Sequence, residues 1–312
     1  MKAHSRVTST MTLKAFPETE ESGLANSVNP FRCAYSFLIN NNDKNLEFPF
    51  YTQVISDVDD TLKSSGGVQV AGVALGGIDV QYERGELYPG VAEFMLELSR
   101  RRGDGSLTST PPKVAILTAR AEELKLALEL KGTSKLAMAF RDAGESRDIS
   151  DWGLGPVLYG SVAEWIVQNR KGLRKFSNFE RLVQQDPTGS ILKYIYVGDT
   201  GELDQQAGEA MLREYPQLVL AVFLHVVSDM PNPIVPPPKI IHGRPVIFFR
   251  TYVGAAVKAT QLGLIDYDGL KRIMMVAQRK LSTVPKTSEK WLDLNRDLIA
   301  AYRTLKLDPF IK

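Results

Sequence analysis

The chain has 312 residues, 44% of them hydrophobic and 24% charged, and its 38 basic and 36 acidic side chains leave a formal charge of +2. This composition is typical of a globular protein and excludes a disordered chain, which would be poorer in apolar residues. The near-neutral balance argues against a nucleic-acid partner, because such binders carry a basic excess. One cysteine and three scattered histidines exclude an intrachain disulfide and argue against a soft-metal site. Any bound metal would therefore be a hard cation held by oxygen ligands.

The N-terminal segment, residues 1–50, is predicted to be irregular. It carries Lys2, Arg6 and Lys14 with no acidic residue before Glu18. We interpret it as a frayed terminus of a cytoplasmic protein, and an organellar transit peptide is the alternative. The longest apolar run is too short to span a bilayer, so membrane contact would be peripheral. The sequence leaves the oligomeric state open.

Between residues 51 and 229, short apolar runs alternate with segments of helical periodicity. The runs are dense in β-branched and aromatic residues, which is typical of strands buried on both faces. The predicted strands are Tyr51–Ser56, Lys113–Leu117, Val157–Tyr159, Tyr194–Val197 and Leu218–Val227. The predicted helices are Gly90–Arg101, Glu122–Leu130, Ser161–Gln185 with a break at Gly172, and Asp204–Glu214. This alternation predicts an α/β fold with a doubly wound, mostly parallel sheet.

Two segments fall outside the alternation. Ser64–Leu87, called the flap below, is rich in glycine and predicts a small β-hairpin rather than a folded cap domain. Residues 230–312 begin with a proline-rich linker and continue as an extension packed on the core. The extension is predicted to contain a strand at Pro245–Tyr252 and helices near Ala255–Leu262, Asp268–Leu281 and Glu289–Leu305. One catalytic domain, 51–229, with a helical C-terminal extension is therefore expected.

Polar side chains follow the predicted strands. They are Asp57, Asp59, Asp60 and Thr61 after the first strand, Thr118 and Arg120 after the second, Lys175 on the helix before the fourth, and Asp199 and Asp204 after the fourth. A parallel sheet gathers these ends at one edge, where its ligands bind. A carboxylate there can attack phosphorus, and a second one two residues on can protonate the leaving oxygen. Clustered carboxylates suit Mg²⁺, and lysine and threonine suit the phosphoryl oxygens.

This ordered set resembles the motifs of the haloacid dehalogenase superfamily of aspartate-nucleophile phosphatases. The run Asp57-Val58-Asp59-Asp60-Thr61 resembles its first motif and Thr118 its second. Lys175 resembles the third motif, for which Lys171 is the alternative, and Asp199 with Asp204 resembles the fourth. Across about residues 51–229, several stretches also look like the actin-patch-protein type of phosphatidate phosphatase, which is related to the lipin catalytic domain. These stretches are Ser56–Lys63, Tyr88–Val91, Leu117–Arg120, Lys175–Leu182 and Val197–Asp204.

The resemblance implies a haloacid dehalogenase-like, Rossmannoid fold and a role for each matched residue. Asp57 would be the nucleophile and Asp59 the general acid and base. Thr118 and Lys175 would bind the phosphoryl group, and Thr61, Asp60 and Arg120 are expected to contact the substrate. The implied cofactor is Mg²⁺, with the ligands Asp57, the Asp59 carbonyl and Asp199, and with Asp204 in support.

The expected activity is hydrolysis of a phosphomonoester, and phosphatidate or a related membrane lipid phosphate is the expected substrate. The flap is too small for a large cap, so we expect an open site that admits a phosphate on a lipid or a protein. A phosphoprotein or soluble metabolite is the alternative substrate. A non-catalytic module that senses phosphatidate is the alternative class of protein, although such modules tend to lose the nucleophile or the acid.

Overall fold

The structure is a computed structural model. It describes residues 50–67, 69–70, 73–74, 77–102, 105–121, 133–160, 171–186, 189–201, 203–230 and 232–307.

A seven-stranded sheet forms the centre of the described part of the chain. In chain order, the strands among the described residues are β1 (Tyr51–Ser56), β2 (Gln69–Val70), β3 (Val73–Ala74), β4 (Val114–Ala121), β5 (Leu154–Gly160), β6 (Ile191–Asp199), β7 (Val219–His225), β8 (Lys239–Ile241) and β9 (Arg244–Phe249). The sheet has the order β5-β4-β1-β6-β7-β9-β8. All neighbours in it are parallel except β8 and β9. Strands β2 and β3 form a separate antiparallel hairpin within the flap.

Helices cover both faces of this sheet. They are α1 (Val91–Ser99), α2 (Lys135–Glu145), α3 (Lys171–Gln184), α4 (Asp204–Glu214), α5 (Tyr252–Gln261), α6 (Tyr267–Leu281) and α7 (Glu289–Thr304). Successive residues of β1 point to opposite faces: Val54 packs in the core that contains α1, α2 and α5–α7, and Ile55 in the core that contains α3 and α4. The predicted α/β class with a mostly parallel sheet is confirmed, and the helical C-terminal residues lie against one face of it.

Some predicted elements differ from the observed ones. Of the predicted helical segment Ser161–Gln185, the described part is a helix that begins at Lys171, so the predicted break at Gly172 stays a prediction. Helix α2 was not predicted, since its buried face consists of four residues and includes Gly144. Strand β8 was not predicted either, because it is an edge strand of three residues directly after a proline run. The predicted helix Glu122–Leu130 and the segment before Phe50 lie outside the described residues.

The topology places the chain reversal at β1. From β1 the chain crosses to β4 on one side, and it later returns to β6 on the other side of β1. In open parallel sheets, a crevice forms at such a switch point beyond the carboxyl ends of the strands. The residues that end β1 and β6 therefore lie where such a crevice forms. Among the described residues, no helix is both long and apolar enough to cross a membrane.

Candidate active site

Three buried carboxylates meet at the ends of β1 and β6. Asp57 follows β1, Asp199 ends β6, and Asp204 begins α4. One carboxylate oxygen from each lies within 4.8 Å of the others. Asp57 is 3% exposed, and the other two are fully buried. These three residues are called the aspartate cluster below.

Lys175 reaches the aspartate cluster from α3. Its Nζ lies 3.1 Å from Asp57 Oδ1 and also contacts Asp204 Oδ1. The side chain is 1% exposed, so its ammonium group has left water for these two carboxylates. Burying an ammonium group is costly unless it is paired, and this pairing makes the lysine a fixed part of the cluster. The side chain of Lys171, the alternative lysine, lies outside the described residues.

Two glycines allow the close approach of the acidic loops. A Cβ on Gly198 would lie 2.6 Å from Asp204 Oδ2, so a larger residue would displace this carboxylate. Asp204 Oδ2 accepts a hydrogen bond from the Asp199 amide at 3.3 Å. Asp199 Oδ1 in turn accepts one from the Gly201 amide at 2.6 Å. The loop that follows β6 therefore fixes both of its aspartates through backbone groups.

The other predicted site residues take different positions. Thr61 is fully buried, and its hydroxyl donates to Asp199 Oδ2 at 3.5 Å. Thr118 is buried on β4, the neighbour of β1. Asp59 is partly exposed, unlike Asp57. The backbone of Arg120 belongs to β4, but its side chain lies outside the described residues.

The structure does not bring the Asp60 carboxylate into the aspartate cluster. Both of its oxygens accept hydrogen bonds from backbone amides of the flap, which are those of Ser65, Ile78 and Asp79. Burial raises the pKa of Asp60 to about 6, although these hydrogen bonds favour the ionised form. These contacts favour a structural role for Asp60 over the expected contact with the substrate, because its acceptor oxygens serve the flap.

Side chains from the C-terminal half also support the loop after β1. The hydroxyl of Tyr252 on α5 donates to the Thr61 carbonyl at 2.6 Å, and a ring nitrogen of His225 lies 2.7 Å from the Asp60 carbonyl. Burial raises the pKa of Tyr252, and the charges of Asp199 and Asp57 raise it further. Sequence reasoning missed these contacts. Their spacing from the first motif exceeds 160 residues, and no local pattern signals such a contact.

The residues of the aspartate cluster fit a hard divalent cation. Their ligand atoms are carboxylate oxygens, the donors that Mg²⁺ prefers, and they converge from three different chain positions. Lys175 brings one positive charge to these three carboxylates. Buried carboxylates this close would otherwise repel each other, so a divalent cation is the natural complement. The geometry does not distinguish Mg²⁺ from other hard cations.

Comparison of this chain with family models, curated proteins and solved structures finds no match.

Proposed function

We propose that this protein is a Mg²⁺-dependent phosphatase that hydrolyses a phosphomonoester through an aspartyl-phosphate on Asp57. The observation that carries the proposal is the buried contact of Lys175 with Asp57 and Asp204, beside Asp199, at the ends of β1 and β6. On the same ground, together with the strand order around β1, we assign the α/β fold to the haloacid dehalogenase type.

The first half of the proposed reaction forms the acyl-phosphate. A carboxylate oxygen of Asp57 attacks phosphorus, and the bond between phosphorus and the leaving oxygen breaks. Asp59 donates its proton to that oxygen, so the alcohol leaves in neutral form. The partial exposure of Asp59 suits this task, because an acid that serves a leaving group must reach the substrate.

The second half regenerates the enzyme. Asp59, now ionised, removes a proton from water, and the resulting nucleophile attacks phosphorus and releases phosphate from Asp57. Lys175 stays beside Asp57 and Asp204 in both halves and offsets the negative charge that develops on the phosphoryl oxygens. A buried hydroxyl on β4, that of Thr118, is the proposed donor to one phosphoryl oxygen. When bound by Asp57 and Asp199, Mg²⁺ would supply the charge that lets an anionic substrate approach three aspartates.

A phosphate on a membrane lipid, with phosphatidate as the leading candidate and diacylglycerol as its product, is the proposed substrate class. Val80 on the flap is 55% exposed, and Met230 and Ile234 in the segment after β7 are 66% and 90% exposed. Val80 and Met230 line a cleft together with Arg250 and Lys290. Since β7 ends at the same edge as β1 and β6, its loop leaves the sheet beside the aspartate cluster. Exposed apolar side chains at this edge favour contact with a lipid surface.

The test is phosphate release by the purified protein. With Mg²⁺, the wild type should hydrolyse an aryl phosphate, and Asp57→Asn should abolish release while the circular dichroism spectrum stays unchanged. The matched control is Asp151→Asn, because Asp151 is an exposed aspartate that pairs with Lys113. Asp59→Asn should leave Asp57 in place but slow formation of the phosphoryl-enzyme.

A substrate panel separates the alternatives. Phosphatidate in mixed micelles should be hydrolysed with a higher kcat/KM than soluble phosphomonoesters or a phosphopeptide. A higher kcat/KM for a soluble phosphomonoester or the phosphopeptide would reassign the substrate and keep the chemistry. A wild type that binds phosphatidate vesicles without releasing phosphate would contradict the enzyme proposal and favour the sensor.

A further inference from the structure

The carboxylate of Asp60 joins the two sides of the hairpin within the flap. Asp60 Oδ1 accepts a hydrogen bond from the Ser65 amide at 2.7 Å, before the hairpin. Asp60 Oδ2 accepts two more, from the amides of Ile78 at 2.6 Å and Asp79 at 2.9 Å, after the hairpin. One fully buried side chain thus holds the chain on both sides of residues 66–77. Hydrogen bonds to a charged acceptor are the stronger kind, so this junction is a strong one.

The chain around Asp60 is shaped to fit this junction. A Cβ on Gly77 would lie 2.2 Å from Asp60 Oδ2 and 2.8 Å from Ser65 Oγ, so this position requires glycine. Asp60 itself has a φ of 55°, in the left-handed region that costs most residues energy. Its own amide donates to the Lys63 carbonyl at 2.8 Å, which holds this turn in place.

The root of the flap also touches the loop that carries Asp199. The Cγ1 atom of Ile78 lies 2.9 Å from the position that a Cβ on Gly201 would take, and Asp199 Oδ1 lies 3.2 Å from the same position. Ile78 therefore packs on Gly201, whose amide binds Asp199. Ile78, whose amide donates to Asp60, thus contacts Gly201, the residue whose amide binds Asp199 of the aspartate cluster.

We propose that Asp60 is a positioning residue that fixes the flap beside the aspartate cluster and so determines how the leaving group of the substrate is held. This inference rests on the proposed phosphatase function for its kinetic part, but the junction itself does not. Asp60 touches neither the phosphoryl group nor the metal in this scheme. Its effect reaches the substrate through Ile78 and the rest of the flap, and it should grow with the size of the leaving group.

Two variants test the junction, one at Asp60 and one at Gly77, which lies against its carboxylate. Asp60→Asn keeps the shape of the side chain but replaces one acceptor oxygen by a donor NH₂ group, which cannot accept from the flap amides. Gly77→Ala leaves the carboxylate intact but places a methyl group against it. The matched control is Asp151→Asn on the surface. The two variants should behave alike, and either one serves if the other does not fold.

Hydrogen exchange of the backbone amides measures the junction directly. Amides in residues 64–67 and 77–81 should exchange about tenfold faster or more in both variants, because Asp60→Asn removes the charged acceptor and Gly77→Ala displaces it. Those of β1 and β6 should keep the wild-type rate. Unchanged exchange at residues 64–67 and 77–81 would overturn the proposal.

Steady-state kinetics measure the effect on the substrate. In both variants, KM for phosphatidate in micelles should rise about tenfold or more, whereas kcat for a small aryl phosphate should stay within about threefold of the wild type. An equal loss of kcat on both substrates would show that Asp60 acts on the chemistry and would overturn the positioning role. Inactive wild-type protein with faster flap exchange in the variants would contradict the phosphatase function and leave the junction standing.

Discussion

Two buried clusters of charge in this molecule have opposite balances. In the aspartate cluster, three carboxylates meet Lys175, which contacts two of them. The second group surrounds Glu97 of α1, whose side chain is 2% exposed. Glu97 contacts three arginines at 2.8–3.1 Å, namely Arg100, Arg147 and Arg272. We call this second group the Glu97 cluster. One cluster has an excess of acid, and the other an excess of base.

The two clusters also differ in how far water reaches their charged side chains. The arginines of the Glu97 cluster keep 16–24% of their side chains exposed, so water and the nearby Glu93 offset the charge that Glu97 does not neutralise. The members of the aspartate cluster and Lys175 are at most 5% exposed, so water cannot do the same for them. A structural ion pair explains the Glu97 cluster, which ties α1 to the end of α2 and to α6. The aspartate cluster could hold a metal ion among its three carboxylates, and this arrangement is what makes it a candidate site.

Removing one cation from each cluster should give the largest contrast. Lys175→Met should lower kcat for phosphate release about a thousandfold, because no ammonium group would then offset the charge of the transferred phosphoryl group. Arg147→Met, the matched change in the Glu97 cluster, should leave kcat within about twofold, since Glu97 keeps its contacts with Arg100 and Arg272. Phosphate release from an aryl phosphate measures both. Equal losses in the two variants would contradict the distinction between the clusters.

Addition of Mg²⁺ should stabilise the protein through the aspartate cluster alone. At a Mg²⁺ concentration about 100 times the dissociation constant, the free energy of unfolding should rise by about 2.7 kcal/mol, because the ion binds the folded chain and not the unfolded one. Asp199→Asn should lose most of this gain, and Glu97→Gln should keep it. Urea denaturation with and without Mg²⁺ measures the effect, and an undiminished gain in Asp199→Asn would place the ion elsewhere.

The sequence predicts the aspartate cluster but not the Glu97 cluster, for a physical reason. Asp57 and Asp199 directly follow buried apolar strands, and the edge of a parallel sheet brings such residues together whatever their distance along the chain. The predicted bounds of β1 and α4 also agree with the observed ones. Glu97 meets Arg147 from the turn after α2 and Arg272 from α6, and helix packing angles do not follow from the local pattern.

The role of Asp60 shows the same limit within the site. Its type and position fit the first motif, so the sequence places it with its neighbours at the site. Its partners Ile78 and Asp79 lie 18 and 19 residues away, beyond a glycine-rich hairpin whose path the sequence does not determine. The direction of a side chain in a turn with positive φ depends on such contacts. The residues of the site are therefore more predictable than the direction in which each one points.

Breaking the Glu97 cluster should reduce stability and leave activity intact. In Glu97→Gln, three arginines would lose a charged acceptor, and the free energy of unfolding should fall by about 2 kcal/mol. This figure lies below the loss for a fully buried pair because the arginines are partly hydrated. Urea denaturation measures the fall, and kcat for the aryl phosphate should be unchanged. A fall in kcat at full stability would mean that α1 positions catalytic residues.

The smallest expected effect is a dependence of the free energy of unfolding on pH through Glu93, which lies near the Glu97 cluster. The sign of this dependence tests whether burial or the nearby arginines control the pKa of Glu93. Burial raises the pKa of Glu93 above its ordinary value of 4.5, against the lowering effect of Arg272 and Arg279. Between pH 4.5 and the raised pKa, the folded chain keeps a proton that the unfolded chain has lost. The contribution of Glu93 to the free energy of unfolding should therefore fall as pH rises through this window, by at most about 1.4 kcal/mol per pH unit. Urea denaturation at pH 4.5, 5.5 and 7 gives the free energy of unfolding of the wild type and of Glu93→Gln. The value of the wild type minus that of the variant isolates the contribution of Glu93. A difference that grows with pH would mean that the arginines outweigh burial, and that their excess charge is less hydrated than their exposure indicates.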